Sequence, residues 1–161
     1  RRGAGAAGVI DDLRGLIARQ EELLDAGDLT GFVAADRGFH HTIVAAAGNG
    51  GPTAPPAYPA AVPGVVAVTA VDGALRIYRY ANRGRYITVA AKGVDVVAAS
   101  SAGGFAAFTG TSFATPHIAG WLARCRAAGT AANQCVARLR QSARDIGAKG
   151  FDEVCGHGYV D

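Results

Sequence analysis

The run Gly110-Thr111-Ser112-Phe113-Ala114-Thr115-Pro116-His117 sets a turn of small residues, a serine and a proline at the head of an apolar stretch. Proline is tolerated in the first turn of a helix because the amides there have no intrahelical partner. The pattern therefore predicts a helix that begins at Ser112. Its first turn would place the serine where free N–H groups and the positive end of the helix dipole converge. That position suits a hydroxyl that attacks a carbonyl and leaves an oxyanion beside it. A serine at this point also makes a good N-cap, and a lone Thr-Ser pair would favour that structural role.

A hydroxyl at its ordinary pKa is a poor nucleophile until a histidine takes its proton and an aspartate holds that histidine. The chain has four histidines, His40, His41, His117 and His157. His117 belongs to the serine's own helix and His157 to the tail Cys155-Gly156-His157-Gly158-Tyr159, so both read as surface or cap residues. Nothing in the sequence positions His40 or His41 as a substitute base. Asp36 and His40, four residues apart, share one helix face, the spacing of an exposed ion pair. Cys125, Cys135 and Cys155 include no C-x-x-C pair, which argues against a zinc knuckle. Cys125 and Cys135 flank a predicted helix-to-helix turn, and their sequence is compatible with one bridge or with three thiols.

The elements that must position these residues are legible as two textures. Val9, Ile10, Leu13, Leu16, Ile17, Gln20, Leu23 and Leu24 recur at spacings of three and four, the period of an amphipathic helix. Ala26-Gly27-Asp28 ends it, with Gly27 suited to a left-handed cap. Leu29, Phe32, Val33, Phe39 and Ile43 continue the period, so residues 1–42 read as a helical hairpin. Beyond Asn49 come a Gly/Pro loop and then β-branched runs at Val65 to Val71, Tyr86 to Ala90 and Val94 to Ala99. Helices follow at Ser112 to Arg126 and Ala131 to Ala143, with an irregular tail to Asp161. The window Phe39 to Ala47 completes a helix from the left and reads as a buried strand from the right. The fold class is α/β, sheet and flanking helices preceded by the hairpin.

Half of the 161 residues are hydrophobic and 23 are glycine, a folded rather than a disordered composition. The net charge of +3, from 16 basic and 13 acidic residues, is spread without a like-charged block, which gives no sign of nucleic acid or membrane as a partner. There is no apolar run long enough to span a bilayer. The chain opens Arg1-Arg2-Gly3 and holds no methionine, so its true start reads as missing or removed.

Gly110-Thr111-Ser112-Phe113-Ala114-Thr115-Pro116 resembles the G-T-S-x-A-x-P nucleophile signature of the subtilase family, the subtilisin-like serine peptidases. Val44-Ala45-Ala46-Ala47-Gly48-Asn49, Tyr58-Pro59-Ala60 with Val65-Val66-Ala67-Val68, and Asn82-Arg83-Gly84 with Ile87 to Val96 resemble further family segments in the family's order. Lys92 stands where the family usually has proline. The resemblance covers about Ile43 to Asp161 and implies a partial subtilisin-like parallel sheet with flanking helices. It implies Ser112 as nucleophile, with Asn49 and the Ser112 N–H as oxyanion donors. Ala46, Ala47 and Gly48 would be the substrate-binding wall, and Tyr58-Pro59 a cis peptide. It further implies a polypeptide substrate, an extracellular or cell-envelope location, and calcium as a cofactor for which no ligands are identifiable. Subtilases order their triad Asp, His, Ser. No Asp-Ser/Thr-Gly or His-Gly-Thr word precedes Ser112, so the fragment is expected to lack peptidase activity alone. A sheet that has lost neighbours is expected to self-associate.

Leu23-Leu24-Asp25-Ala26-Gly27-Asp28, Phe32 to Asp36 and Phe39 to Ile43, closing on Ala46-Ala47-Gly48-Asn49, resemble another family. This is the all-helical FCD ligand-binding domain of GntR-like transcription regulators, in which Asp36 and His40 would be metal ligands. The two resemblances meet on Ala-Ala-Gly-Asn, which reads as a chimera with domains at 1–42 and 43–161. The alternative function is a ligand- or metal-binding regulator fragment.

Overall fold

The computed structural model describes residues 4–28 and 43–161. The apolar period at the start forms helix α1 (Ala4–Asp25). Its end is the glycine cap expected from the sequence: Gly27 has φ 68°, its N–H donates to Leu24 O at 3.0 Å, and the Asp28 N–H donates to Leu23 O at 2.9 Å. Leu23 is buried, whereas Ile17 and Leu24 stay 43% and 58% exposed. The second helix of the expected hairpin lies outside the described residues, as do Asp36, His40 and His41.

Within the ambiguous window the strand reading prevails, since β1 spans Val44–Ala46. It is followed by β2 (Val66–Val71) and β3 (Ile87–Lys92), and the three form a parallel sheet in the order β1-β2-β3. All six residues of β2 are buried, which is why its sequence is a continuous β-branched and small apolar run rather than an alternating one. β4 (Val96–Ala99) pairs antiparallel with β5 (Phe105–Phe108). The sequence reading missed β5, because Phe-Ala-Ala-Phe is short and alanine has little strand preference. Glycines at φ 91° and 70°, Gly103 and Gly104, turn the chain so that β5 returns along β4.

Helices α2 (Thr111–Ala127) and α3 (Ala132–Ser142) complete the order. Ala114, Ile118 and Leu122 of α2 pack with Val66, Val68, Ala70, Val89 and Ala91 on one face of the sheet, joined by Cys135, Val136 and Leu139 of α3. Ala45, Ala60, Val65 and Ala67 form a smaller apolar cluster. The tail is irregular in shape but not in bonding. It lies along β3, with the Val160 N–H on Ala90 O at 2.9 Å, the Ala90 N–H on Gly158 O at 2.8 Å and the His157 N–H on Thr88 O at 2.9 Å. A stretch so rich in glycine has no period to betray this pairing.

Of the two options for the cysteines, the fold takes the bridge. Cys125 on α2 and Cys135 on α3 are joined across a separation of 10 residues, with Cα atoms 5.9 Å apart. Cys155 remains a free, buried thiol. Its pKa is pushed up from 9.0 to about 11 by burial, and secondarily by the nearby Asp152 charge, so it is chemically quiet at neutral pH. Replacing both bridged cysteines by alanine is expected to lower stability by roughly 2–3 kcal/mol, from the released loop entropy of the unfolded chain. Urea denaturation checks this, and an unchanged midpoint would mean that the bridge constrains nothing.

Candidate functional site

The strand β1 delivers the chain into a loop whose geometry is set by Asn82. Gly48 has φ 107°, and a Cβ there would sit 2.6 Å from Asn82 Nδ2, so only glycine fits. Asn82 itself is 4% exposed. Its N–H donates to Gly48 O at 2.9 Å, its Oδ1 accepts from the Gly50 N–H at 2.7 Å, and its Nδ2 donates to Pro55 O at 3.2 Å. The Tyr86 hydroxyl adds a bond to Ala47 O at 2.8 Å. Asn49 is therefore held by its backbone neighbours on both sides. In the sequence Asn82 stands out only within the segment Asn82-Arg83-Gly84, and Tyr86 only as the start of a predicted strand. The available signal for Asn82 was a lone amide between glycine-bearing segments that need their N–H groups satisfied.

The opposite wall is the start of α2. Gly93, just after β3, donates its N–H to Val71 O at 3.0 Å and accepts the Gly110 N–H at 2.8 Å, which pins the turn before the helix to the sheet. The Thr111 N–H donates to Asn49 Oδ1 at 2.9 Å, and Thr111 Oγ1 lies 3.1 Å from that same oxygen and 3.3 Å from the Gly48 nitrogen. A backbone N–H can only donate, so the carbonyl end of the Asn49 amide must face Thr111, and Nδ2 is directed elsewhere. Thr111 was not anticipated as a site residue. Its hydroxyl is fully buried and forms the link between the two walls.

With the Gly110 N–H on Gly93 O, the Thr111 N–H on Asn49 and the Phe113 N–H on Gly110 O at 3.0 Å, the first-turn amide of Ser112 is left without an acceptor among the described residues. Ser112 is exposed. A Cβ on Gly110 would lie 3.3 Å from Asn49 Nδ2 and 3.7 Å from Ser112 Oγ, so the separation of those two atoms cannot exceed the sum of these distances. The fold thus gathers a hydroxyl, a free backbone N–H and a carboxamide N–H₂ at the positive end of a helix, an arrangement able to stabilise negative charge on an oxygen.

Of the wall residues, Ala46 and Gly48 are half-buried, while Ala47 is fully buried and can offer only its backbone. His117 is exposed on α2. His157 lies in the tail with its ring 5.3 Å from that of Phe151. Burial, and then the Arg140 charge, holds the pKa of His157 below its ordinary value. Neither histidine bonds to Ser112. No group of three or more His, Cys, Asp or Glu side chains able to hold a metal exists among the described residues. Asp145 and Asp152 are committed to backbone N–H groups of their own loops, at 2.7 Å for Gly150, Val154 and Cys155. The Tyr58–Pro59 peptide is cis, as the resemblance implied.

A parallel sheet of three described strands thus brings a serine, at the head of a helix packed on its face, opposite an asparagine in the loop after the strand β1. The model of the subtilase family matches residues 15–158, and the chain belongs to that family. It is 36% identical over 108 residues to the thermophilic serine proteinase of Bacillus sp. (strain AK1), across 67% of this chain and 27% of that protein. Over 81 residues it is 40% identical to subtilisin of Bacillus pumilus, across 48% of this chain and 30% of the relative. The fold is also similar to that of sphericase, with a TM-score of 0.68 at 24% identity, covering 94% of this chain and 63% of that one. The chain thus spans about a third or less of the length of these two curated relatives.

Proposed function

We propose that this chain is the nucleophile-bearing part of a subtilisin-like serine endopeptidase that acts on polypeptides. In this reading Ser112 Oγ attacks the scissile carbonyl carbon. The oxyanion so formed takes hydrogen bonds from Asn49 Nδ2 and the Ser112 N–H, and the backbone of Ala46, Ala47 and Gly48 borders the residue before the cut. The proton leaving Oγ needs a base, and no described residue is placed to take it. The single observation behind the reading is the Thr111–Asn49 clamp, which orients an amide that would otherwise be free to flip. A fluorophosphonate probe is expected to label Ser112 slowly in the intact chain and not at all in Ser112→Ala. In Asn49→Ala labelling should fall by ~10² to 10³, the magnitude established for such a donor in a subtilisin. Labelling unaffected by Asn49→Ala would remove the donor role.

Export to an extracellular or envelope compartment fits the Cys125–Cys135 bridge, since disulfides persist in oxidising surroundings. Self-association fits the sheet. β1 is an edge strand among the described residues, and ladder alternation turns the N–H and C=O of Val44 and Ala46 away from β2. Sedimentation velocity is expected to show mass increasing with concentration, and a clean monomer throughout would contradict this. A division of the chain at residues 42/43, with an earlier segment of regulator origin, is tested by reading the source DNA across codons 43–49. The subtilase match already crosses that point.

A further inference from the structure

A cleft of about 410 Å³, separate from Ser112 and Asn49, opens between residues 61–65, residues 85–88 leading into β3, Arg140 of α3, and Phe151 and His157 of the tail. This is a size typical of small-molecule sites, roughly 300–1,000 Å³. The cations that line it come from segments far apart in sequence, so the fold itself gathers them. Arg85, Arg140 and His157 all line it, the His157 ring lies 5.3 Å from that of Phe151, and no aspartate or glutamate is among the lining residues. Neither guanidinium has a carboxylate partner among the described residues.

The walls are held firmly. The His157 backbone N–H bonds to Thr88 O at 2.9 Å, and the Tyr86 hydroxyl ties residue 86 to Ala47 O at 2.8 Å. Of the acids beside the lining residues, Asp152 is committed to the tail loop, Oδ1 accepting the Val154 and Cys155 N–H groups, both at 2.7 Å, and Oδ2 the Ala148 N–H at 3.2 Å, while the exposed Glu153 meets the Arg85 segment through its backbone, its C=O accepting the Gly84 N–H at 2.8 Å. Arg85 and Arg140 are exposed side chains, and their forked N–H groups match the geometry of phosphate and carboxylate oxygens. Burial, and then the Arg140 charge, disfavours the protonated form of His157, and the neutral ring keeps one N–H to donate.

We propose that this cleft binds a small oxyanion, a phosphate or carboxylate group, between Arg85 and Arg140, with His157 as the third donor. The proposal does not rest on the peptidase reading. Sodium phosphate, and separately sodium succinate, titrated calorimetrically into the full chain at low ionic strength and pH 7 is expected to give one saturable site. Arg85→Gln and Arg140→Gln should each weaken it by ~10-fold or more, since each removes a charge-assisted bond. Arg124→Gln, which changes net charge equally on an exposed part of α2, should leave it unchanged. Tighter phosphate or tighter succinate then assigns the ligand class. No saturable heat with either anion, or equal weakening by Arg124→Gln, overturns the proposal. Should the cleft variants fail to fold, amide NMR of the unsubstituted chain decides. Phosphate must shift the signals of residues 61–65, 85–88, 140 and 157 selectively, and shifts spread over all basic residues would overturn it.

Discussion

Incubated with casein or a peptide ester, the 161-residue chain is expected to accelerate hydrolysis by no more than ~10³ to 10⁴ over water. That ceiling is what oxyanion stabilisation and binding retain when triad members are lost. The expectation rests on the surroundings of Ser112: its Oγ is exposed and makes no hydrogen bond among the described residues, and neither described histidine is bonded to it. A serine hydroxyl of ordinary pKa, without a base to accept its proton, attacks too slowly for turnover. Initial rates measured against Ser112→Ala check the prediction. Rates far above the ceiling that vanish in Ser112→Ala would mean that a base is supplied after all.

A large structural effect beside the candidate site is expected at Gly93. A Cβ there would lie 2.7 Å from Ala70 Cβ, 2.8 Å from Gly110 O and 3.0 Å from Ala114 Cβ, contacts with backbone or with short, inflexible side chains. Nothing can swing aside, so Gly93→Val must push β2, the turn at Gly110 and helix α2 apart. We expect a loss of roughly 3 kcal/mol, the upper end of ordinary overpacking costs. The Thr111–Asn49 bonds should weaken with it, because the Gly110 N–H loses its partner. Gly73→Val, at a glycine with open space around it, is the control and should cost far less. Equal urea midpoints for the two variants would show that the Gly93 contact is not a constraint.

Local chemistry made much of this protein legible in the sequence. The cap at Gly27, the β-branched run that becomes β2, the helices at α2 and α3, and the serine before a first-turn proline all follow from rules that act over a few residues. The nucleophile candidate and the asparagine were likewise recognisable as words. Long-range decisions were not legible. Residues 44–46 carry a helix-compatible pattern, and pairing with β2 made them a strand because the sheet supplies bonds that a lone segment lacks. Phe105–Phe108 became a strand through its hairpin partner, and the glycine-rich tail was ordered by bonding to β3. Only the folded chain could bring Thr111 to Asn49, 62 residues away, and so decide which end of the amide is left free beside Ser112. Only it could place Arg85, Arg140 and His157 around one cleft. The physical reason is common to both cases: a hydrogen bond or a charge cluster across such separations is set by how sheet and helices pack, and no local pattern encodes that geometry.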